Sequence, residues 1–556
     1  MSEPAQEIVK ETAAQRVERI KRERAPWSIM DDIRRYAREG FASIPDEDLS
    51  VRFRAWGLYT QGDGQGTRGD ALPYFMMRVR TPNGLLTAEQ VRTIADVSDR
   101  YARGSIDITN RQNFQLHWLR IEDIPAVWDE LARVGWTSMG ACGDNTRTVT
   151  GCPLAGVDNE EVLDASPYAL AVDRFLNGNA EYANLPRKFK ISITGCAHWC
   201  TYPEINDIGA TAVRRGDEVG FHIRVGGGLS TRPHLAVRLD AFVRPEQLLD
   251  VVTTITAIFR DSDELRQNRA KARMKYLFIN HGWTAQRFLS EIERRLGYRL
   301  QPAAPETLPE DGYRDHVGIH RQKQAGLHYA GFSVPSGRIT THSLRRIAGL
   351  AERHGDGTLR TTATQNILVL SIADARLPAF EREAAALDVP LQGSPFQRGT
   401  LSCTGSEFCK LAITETKRFS IDLAKEMERR LPGFTEQVKV HVAGCPNSCG
   451  QHWIADVGLQ GVLLTVNGEK TEGFDFFIGG GLGSHAALAR RVAFRAPAQE
   501  VADVLERLFR EYVAAREGGE SFRAWVTRVG DDRVKELLAA APVDTAPGTL
   551  PADVVR

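Results

Sequence analysis

Residues 82–113 read PNGLLTAEQVRTIADVSDRYARGSIDITNRQN, and residues 335–366 read PSGRITTHSLRRIAGLAERHGDGTLRTTATQN. The two segments align without a gap at a constant offset of 253 residues. The alignment matches the Pro-x-Gly turns at the start, the Gln-Asn pairs at the end, and internal identities such as Gly104 with Gly357. Each copy predicts a strand, a Pro-x-Gly turn, an amphipathic helix, a glycine turn and a second strand.

The correspondence continues downstream. Gly195-Cys196-x-x-x-Cys200 corresponds to Gly444-Cys445-x-x-x-Cys449. The GGGL run at 226–229 corresponds to the one at 479–482. Two unrelated α+β domains with common turns would not keep both spacing and order. We therefore interpret the chain as an internal duplication.

Composition excludes several classes of function. The 556 residues contain 71 Lys plus Arg and 71 Asp plus Glu, so the net charge predicts neither nucleic acid nor an anionic membrane as a partner. The charged N-terminus has no apolar core of signal-peptide length, and no apolar run is long enough to span a bilayer. We expect a cytoplasmic protein, in which clustered cysteines bind metal more often than they form disulfides.

Four of the eight cysteines form two closely spaced pairs in the second half. Cys403 and Cys409 are separated by five residues, and Cys445 and Cys449 by three. Four thiolates suit zinc or an iron–sulfur cluster. Zinc pairs are usually two to four residues apart, so the first pair fits zinc poorly. Four buried thiols acting as small apolar groups are a further alternative. The spacing favours a cluster.

These cysteines, within the ACTGxxFC-like and GCPNxC segments of a duplicated chain, resemble the siroheme sulfite/nitrite reductase family over residues from about 50 to 530. The resemblance implies that Cys403, Cys409, Cys445 and Cys449 hold a [4Fe–4S] cluster. It also implies that Cys449 bridges the cluster to the iron of a siroheme, so that electrons reach the iron where the substrate binds.

We predict an α+β fold of two pseudo-symmetric halves, each with a ferredoxin-like module and a larger α/β siroheme/cluster-binding module. The predicted limits are a helical extension at 1–50, a ferredoxin-like module at 51–136, a siroheme and substrate-pocket module at 137–299, a linker at 300–316, a second ferredoxin-like module at 317–392, a cluster and siroheme module at 393–540, and a disordered tail at 541–556.

Siroheme carboxylates and an anionic substrate require a cationic pocket. By resemblance, Arg78, Arg147, Lys188 and Lys190 contact the substrate, and the lysines deliver protons. The candidate cofactor contacts, besides Cys449, are Arg80, Arg111, Gln112 and Arg187. A second basic run at 266–275 is predicted to be a helix that reaches cofactor carboxylates or an acidic electron donor, or that is simply solvated.

The first half departs from the family pattern because it carries Cys142, Cys152, Cys196 and Cys200. A second metal site there stays open, although the nine residues between the upstream pair and the nearby substrate-type residues argue against it. Tyr59 and Cys142 resemble a pair that some relatives join covalently; a packed aromatic and a free thiol are the alternative.

The substrate is predicted to be sulfite, with nitrite as the alternative. Lys190 stands where plant-type nitrite reductases resemble one another in having asparagine, and two lysines suit the more highly charged sulfite. By contrast, the segments DNTRTVTGCPLAG and GCPNSCGQ resemble nitrite reductases.

Electrons are expected from an external ferredoxin, because no flavin domain or nucleotide-binding GxGxxG is evident; a separate NADPH flavoprotein is less favoured. A monomer is the default expectation. A non-enzymatic iron–sulfur electron-transfer or sensor protein is a distant alternative, disfavoured because a sensor needs no anion pocket.

Overall fold

The computed structural model describes residues 11–63, 72–310 and 314–540. The predicted tail at 541–556 and the first ten residues of the predicted extension lie outside these ranges. Within the described residues, the strands form four sheets of five strands each. None of the helices in these ranges is long and apolar enough to cross a membrane.

The first half starts with two helices and continues through a first set of strands and helices. Its elements are α1 (Ala13–Glu23), α2 (Ile29–Glu39), β1 (Leu58–Thr60), β2 (Phe75–Val79), β3 (Leu85–Thr87), α3 (Ala88–Tyr101), β4 (Ser105–Ile108), β5 (Phe114–Leu119), α4 (Ile124–Arg133), β6 (Thr150–Gly151), α5 (Ser166–Leu176), β7 (Ile191–Thr194), β8 (Ile208–Arg215), β9 (Glu218–Val225), β10 (Val237–Val243), α6 (Leu248–Arg260), α7 (Lys275–Asn280) and α8 (Ala285–Leu296).

From the strand before the Pro-x-Gly turn onward, the second half repeats the order of the strands, with the short helix α11 added before β16 and two helices instead of three after the last strand. Its elements are β11 (Gly318–Arg321), β12 (Leu327–Phe332), β13 (Arg338–Thr340), α9 (Thr341–His354), β14 (Thr358–Thr361), β15 (Ile367–Ala373), α10 (Leu377–Ala384), α11 (Pro395–Gly399), β16 (Thr400–Ser402), α12 (Lys417–Arg430), β17 (Val440–Ala443), β18 (Val457–Val466), β19 (Glu469–Ile478), β20 (Arg490–Pro497), α13 (Val501–Ala515) and α14 (Phe522–Ala539).

The predicted turn–helix–turn–strand unit is present in both copies, with the same local chemistry. The Thr87 side chain accepts a hydrogen bond from the Gln90 backbone at 3.2 Å, and the Gln90 side chain accepts one from the Thr87 backbone at 3.0 Å. This capping box fixes the start of α3. Thr340 caps α9 at the equivalent position by accepting from the Ser343 backbone at 3.2 Å.

The two ferredoxin-like sheets exchange one strand each. The first sheet has the order β1-β2-β5-β4-β13, and the second has the order β11-β12-β15-β14-β3. The short strand after each Pro-x-Gly turn thus completes the sheet of the other half. The predicted limits of these two modules therefore do not separate two independent sheets.

Glycine is required in both Pro-x-Gly turns. Gly84 has φ +68°, and a Cβ there would lie 2.4 Å from the carbonyl oxygen of Thr361 in the other half. Gly337 has φ +76°, and its Cβ would lie 2.4 Å from the carbonyl oxygen of Ile108. A side chain at either position would be strained and would push the exchanged strand away.

The larger modules are also copies of one another. Their sheets have the orders β10-β9-β8-β7-β6 and β20-β19-β18-β17-β16. In each, the first three strands in sequence run parallel and the last two are antiparallel to their neighbours. The carboxyl ends of the parallel strands meet at one edge, and the loops that leave this edge carry seven of the eight cysteines, all except Cys142.

Candidate functional site

The four second-half cysteines lie on loops that leave the carboxyl ends of β16 and β17. Cys403 follows β16 directly, and Gly444-Cys445 follows β17. The Gly444 backbone N–H donates to the Cys403 Sγ at 3.2 Å. The Cys409 backbone N–H donates to the Gly405 carbonyl at 2.9 Å, which fixes the loop between the first two cysteines.

Burial is the largest influence on two of these thiols, Cys409 and Cys445, although Lys417 and Lys188 act on Cys403 and Cys449. Burial, followed by the charge of Cys449, raises the pKa of Cys409 to about 12, and burial raises the pKa of Cys445 to about 11. Such a set ionises only when a metal centre balances its charge, because the thiolate is the form that binds metal. The donor set therefore fits the iron of a cluster.

The spacing of the four sulfurs argues against zinc. Among the described residues, a single group of three or more His, Cys, Asp or Glu side chains has all of its ligand atoms within 4.8 Å of one another. That group is in the first half, so no three of the second-half cysteines lie this close together. A single zinc ion with bonds of about 2.3 Å needs sulfurs roughly 3.8 Å apart. The second-half cysteines are thus spread more widely than one ion requires, as a cluster demands.

Cys449 faces the basic pocket of the first half. It is the exposed member of the four cysteines. Its carbonyl oxygen accepts a hydrogen bond at 2.7 Å from Asn110, which follows β4 in the first half. The charge of Cys449 acts on both Lys188 and Lys190. The structure therefore brings the predicted bridging cysteine and the predicted substrate lysines together.

Lys188 and Lys190 precede β7 and lie among other cations. Burial, together with Arg273 and Arg147, lowers the pKa of Lys188 to about 8 against the opposing charge of Cys449. Burial and the charge of Lys188 place the pKa of Lys190 well below its usual value. The Lys190 backbone N–H donates to Asp207 at 2.8 Å, which holds the strand start in place.

Arg78 and Arg147 form a second wall with Tyr59 and Cys142. The Arg78 Nη1 donates to the Cys142 Sγ at 3.3 Å. The Arg147 guanidinium donates to the carbonyl oxygens of Ala141 at 2.9 Å and Gly143 at 3.0 Å. Burial and then the charge of Cys142 raise the pKa of Tyr59, which places the two members of the predicted crosslink beside each other.

Arg111 joins the two walls. Its guanidinium donates to the Asn206 side chain at 2.7 Å and to the Thr148 carbonyl at 2.8 Å. Burial and then the charge of Arg147 lower its pKa to about 9. A small cavity lies against it, with a lining that includes Asn110, Thr150, Lys190, Asn206 and Gln451.

The predicted basic run at 266–275 contributes two cations near the pocket. Arg273 pairs with Asp207 at 2.8 Å, and Lys275 donates to the Leu229 carbonyl at 2.6 Å. Both belong to the basic run that was predicted to be one helix, and that prediction is wrong. A single 3-10 turn spans Arg269–Lys271, and α7 begins only at Lys275. The sequence shows the density of basic residues in this run, but it has no periodicity that predicts where each side chain lies.

The pocket has more buried positive charge than its own acids balance. Arg78, Arg147, Lys188, Lys190 and Arg273 act on one another or on Arg111. Two carboxylates act on these groups, Asp207 on Arg111 and Arg273, and Asp144 on Arg147. Buried cations of this number require anionic partners. Siroheme carboxylates and an oxyanion substrate meet that requirement, so these residues fit the cofactor.

Three predicted cofactor contacts also have partners within the protein. Arg80 forms a buried ion pair with Asp173 at 2.5 Å. Gln112 uses its whole amide on backbone groups, since it donates to the carbonyls of Gly151 and Thr361 and accepts from the Gly151 N–H. The Nε and Nη1 atoms of Arg80 have no hydrogen-bond partner among the described residues, so its contact with the cofactor stays a prediction, as it does for Gln112.

Arg187 is the third of these predicted cofactor contacts. It bonds to Asp144 at 3.3 Å, an acid that also binds Arg269 and Lys21. The Arg187 side chain is about one-third exposed, so part of it stays accessible at the margin of the pocket.

The family models match all four modules. The nitrite and sulphite reductase 4Fe-4S domain matches residues 142–300 and 394–543, and the nitrite/sulfite reductase ferredoxin-like half domain matches residues 68–134 and 320–387.

Individual proteins resemble the chain over nearly its whole length. An assimilatory ferredoxin-dependent nitrite reductase of Haloferax mediterranei is 37% identical over 93% of this chain and 92% of its own length. A sulfite reductase [ferredoxin] of Mycobacterium tuberculosis is 37% identical over 93% of this chain and 95% of its own. The solved structure of the Mycobacterium tuberculosis NirA protein superposes with a TM-score of 0.88 at 36% identity, covering 93% of this chain and 97% of that one. The chain therefore belongs to the nitrite and sulfite reductase family, whose enzymes carry a siroheme and a [4Fe–4S] cluster.

Proposed function

We propose that this enzyme reduces sulfite to sulfide with electrons from ferredoxin, by a six-electron reaction in the pocket beside Cys449. The observation that carries the proposal is the pair of half-buried lysines before β7, Lys188 and Lys190, of which Lys190 lines the cavity beside Arg111. Two ammonium groups in one enclosed site suit an anion of higher charge better than a singly charged one.

The protein residues have defined tasks in this proposal. When bound, the siroheme and cluster supply the electrons. Arg78 and Arg147 pair with oxygens of the anion and hold it in place. Lys188 and Lys190 donate protons to the oxygens that leave as water, each of which consumes two protons and two electrons. The enclosed position of the lysines lowers the pKa of Lys188 to about 8, which makes the proton easier to transfer at neutral pH.

Nitrite is the second candidate substrate. The segments DNTRTVTGCPLAG and GCPNSCGQ favour it, and the similar Haloferax mediterranei protein is a nitrite reductase by name. Nitrite needs the same number of electrons and a similar cationic pocket. The charge at position 190 is the feature that we expect to separate the two activities.

The test is anaerobic kcat/KM for sulfite and for nitrite with reduced ferredoxin and siroheme-loaded enzyme. We expect a preference for sulfite, and we expect Lys190→Asn to shift the ratio toward nitrite by at least about tenfold, the effect of roughly 1.4 kcal/mol. Lys271→Asn, at an exposed position outside the pocket, is the matched control and should leave the ratio unchanged. A wild-type preference for nitrite would contradict the substrate assignment.

The donor and the compartment belong to the same proposal. Ferredoxin is the donor printed in the names of the relatives in both substrate groups. No disulfide joins any of the eight cysteines in the described residues, which suits a reducing cytoplasm. Replacing ferredoxin by an NADPH-dependent flavoprotein in the same assay should leave little turnover; equal turnover would count against a ferredoxin donor.

A further inference from the structure

Three first-half cysteines converge on one point outside the siroheme pocket. The Sγ atoms of Cys196 and Cys200 are 3.7 Å apart, and those of Cys200 and Cys152 are 3.5 Å apart. All three side chains are at most 3% exposed. Among the residues that the structure describes, these three form the single group of potential metal ligands whose sulfur atoms all lie within 4.8 Å of one another.

The three positions correspond to cluster ligands of the second half. In the sheet of the first larger module, Gly151 on β6 pairs with Ile193 on β7. In the sheet of the second larger module, Ser402 on β16 pairs with Val442 on β17. The residue after each first partner is a cysteine, so Cys152 corresponds to Cys403. Cys196 and Cys200 correspond to Cys445 and Cys449. The upstream cysteine of the group is therefore Cys152 and not Cys142, which lies against Arg78 instead.

The spacing of the three sulfurs fits a single ion. Thiolates bound to one tetrahedral zinc at about 2.3 Å lie roughly 3.8 Å apart, close to the observed separations. A cube-shaped cluster separates its thiolates more widely, as the second-half cysteines are separated. Three thiolates form a soft ligand set, which selects zinc over magnesium or calcium.

His316 offers a fourth ligand in the same buried region. It is 3% exposed, and neither of its ring nitrogens has a hydrogen-bond partner among the described residues. Arg314, two residues earlier, bonds to Asp158 at 3.0 Å and to the Tyr329 hydroxyl at 3.4 Å, and Tyr329 packs against the three cysteines. The ring lies within the electrostatic reach of Cys196. It would have to turn toward the sulfurs, because its nitrogens lie outside the 4.8 Å group.

We propose that Cys152, Cys196, Cys200 and His316 bind one Zn²⁺ ion, separate from the siroheme and the [4Fe–4S] cluster. The site ties loops of the first-half sheet to the segment that begins the second half. Its role is structural, because four protein ligands leave no open position for a substrate. The second half kept a cluster at the equivalent place, and the first half keeps a smaller ion.

The test is the metal content of the holoenzyme, purified anaerobically and without a histidine tag. We expect about one zinc per chain alongside the iron of one siroheme and one cluster. Cys152→Ser and Cys200→Ser should lose the zinc with the iron content unchanged. Cys142→Ser, another buried cysteine outside the group, should retain the zinc.

X-ray absorption at the zinc edge decides the ligand set of the wild-type enzyme. We expect three sulfurs at about 2.3 Å and one nitrogen at about 2.0 Å. A shell with oxygen in place of nitrogen would overturn the assignment of His316. Absence of zinc, a disulfide within the group, or iron in excess of one siroheme and one cluster would overturn the site. These measurements on the wild type stand even if the serine variants fail to fold.

Discussion

Cys449 is the residue at which the two halves meet chemically. Its thiol belongs to the second-half set of four, whereas the cations that respond to its charge, Lys188 and Lys190, belong to the first half. Asn110 fixes its backbone from the first half at 2.7 Å. A thiol shared in this way needs both halves in register, so errors in the packing of the halves would disturb the site directly.

Gln112 provides a residue-scale prediction that separates structure from cofactor binding. Gln112→Leu keeps the volume but leaves the N–H and carbonyl of Gly151 and the carbonyl of Thr361 without partners. Each buried group left unpaired costs about 1–3 kcal/mol. We expect a lower thermal unfolding midpoint and an unchanged siroheme content per chain, measured by absorption.

The pseudo-symmetric variant is the control for this prediction. Gln365 donates to the Ile108 carbonyl at 3.0 Å and accepts from the Ser402 N–H at 3.3 Å. Gln365→Leu should therefore destabilise the protein to a similar extent. Loss of siroheme from the Gln112 variant alone would mean that this side chain does contact the cofactor.

The pair Tyr59 and Cys142 is predicted to be joined covalently. Both side chains lie beside Arg147, and Arg78 donates to the Cys142 Sγ at 3.3 Å. A bond between the ring and the sulfur releases two protons and two electrons, the electrons going to an external oxidant such as dioxygen, so mass spectrometry should find the two tryptic peptides linked and lighter by two hydrogens. Two unmodified peptides in active enzyme would rule the bond out. Cys142→Ala should give the separate Tyr59 peptide in either case.

At the scale of elements, the exchanged strand β13 is held by a buried charge network as well as by its ladder. Arg338 on β13 donates to Asp107 on β4 at 2.8 and 3.2 Å, and His117 on β5 lies 3.3 Å from the same carboxylate. Against the effect of burial, Lys417 and Arg338 hold the pKa of Asp107 well below its usual value. The network therefore favours the charged carboxylate and joins the two halves.

Asp107→Asn should destabilise the enzyme in a pH-dependent way. Removing one partner of a buried pair costs about 3 kcal/mol, because the other charge is left without compensation. The folded pKa is depressed, so this stabilisation is present above the unfolded pKa of about 4 and is lost as the pH falls through the folded value. Calorimetry should find a constant difference in unfolding midpoint from pH 7 to about pH 4, and a smaller one below.

An exposed ion pair between helices α3 and α9 serves as the comparison for the buried Asp107 network. Arg345 and Asp96 lie 2.6 Å apart, but both side chains are at least one-third exposed. Asp96→Asn should cost no more than about 1 kcal/mol. An equal loss in both variants would show that burial does not govern the Asp107 network.

The sequence predicted the local elements but not their partners. Turn chemistry and periodicity located the two copies of the repeat, and the paired cysteines located the cluster site. The exchange of β3 and β13 could not be predicted, because each is three residues long and its pairing partner is more than 200 residues away. The basic run that carries Arg273 and Lys275 was predicted to be one helix, but irregular backbone leads to Arg273 and α7 begins only at Lys275.

At the scale of the whole molecule, the duplication has produced two halves that depend on each other. One hydrophobic core contains side chains of both ferredoxin-like modules, including Ile94 and Ile106 from the first half and Ile347 and Leu359 from the second. Each half also supplies the edge strand of the other half's sheet. Neither half can bury its own apolar surface alone, and each would expose an open sheet edge.

This dependence predicts how the enzyme behaves when the chain is cut between the halves. A fragment of residues 1–310 lacks β13, so β4 becomes an exposed edge, and its own β3 has no sheet to join. Expressed alone, it should aggregate or unfold without a cooperative transition; co-expressed with residues 311–556, it should assemble one-to-one and bind siroheme. Size-exclusion chromatography and calorimetry measure both outcomes. A soluble, cooperatively melting 1–310 fragment would mean that the first half folds by itself, and that the exchanged strands contribute little to its stability.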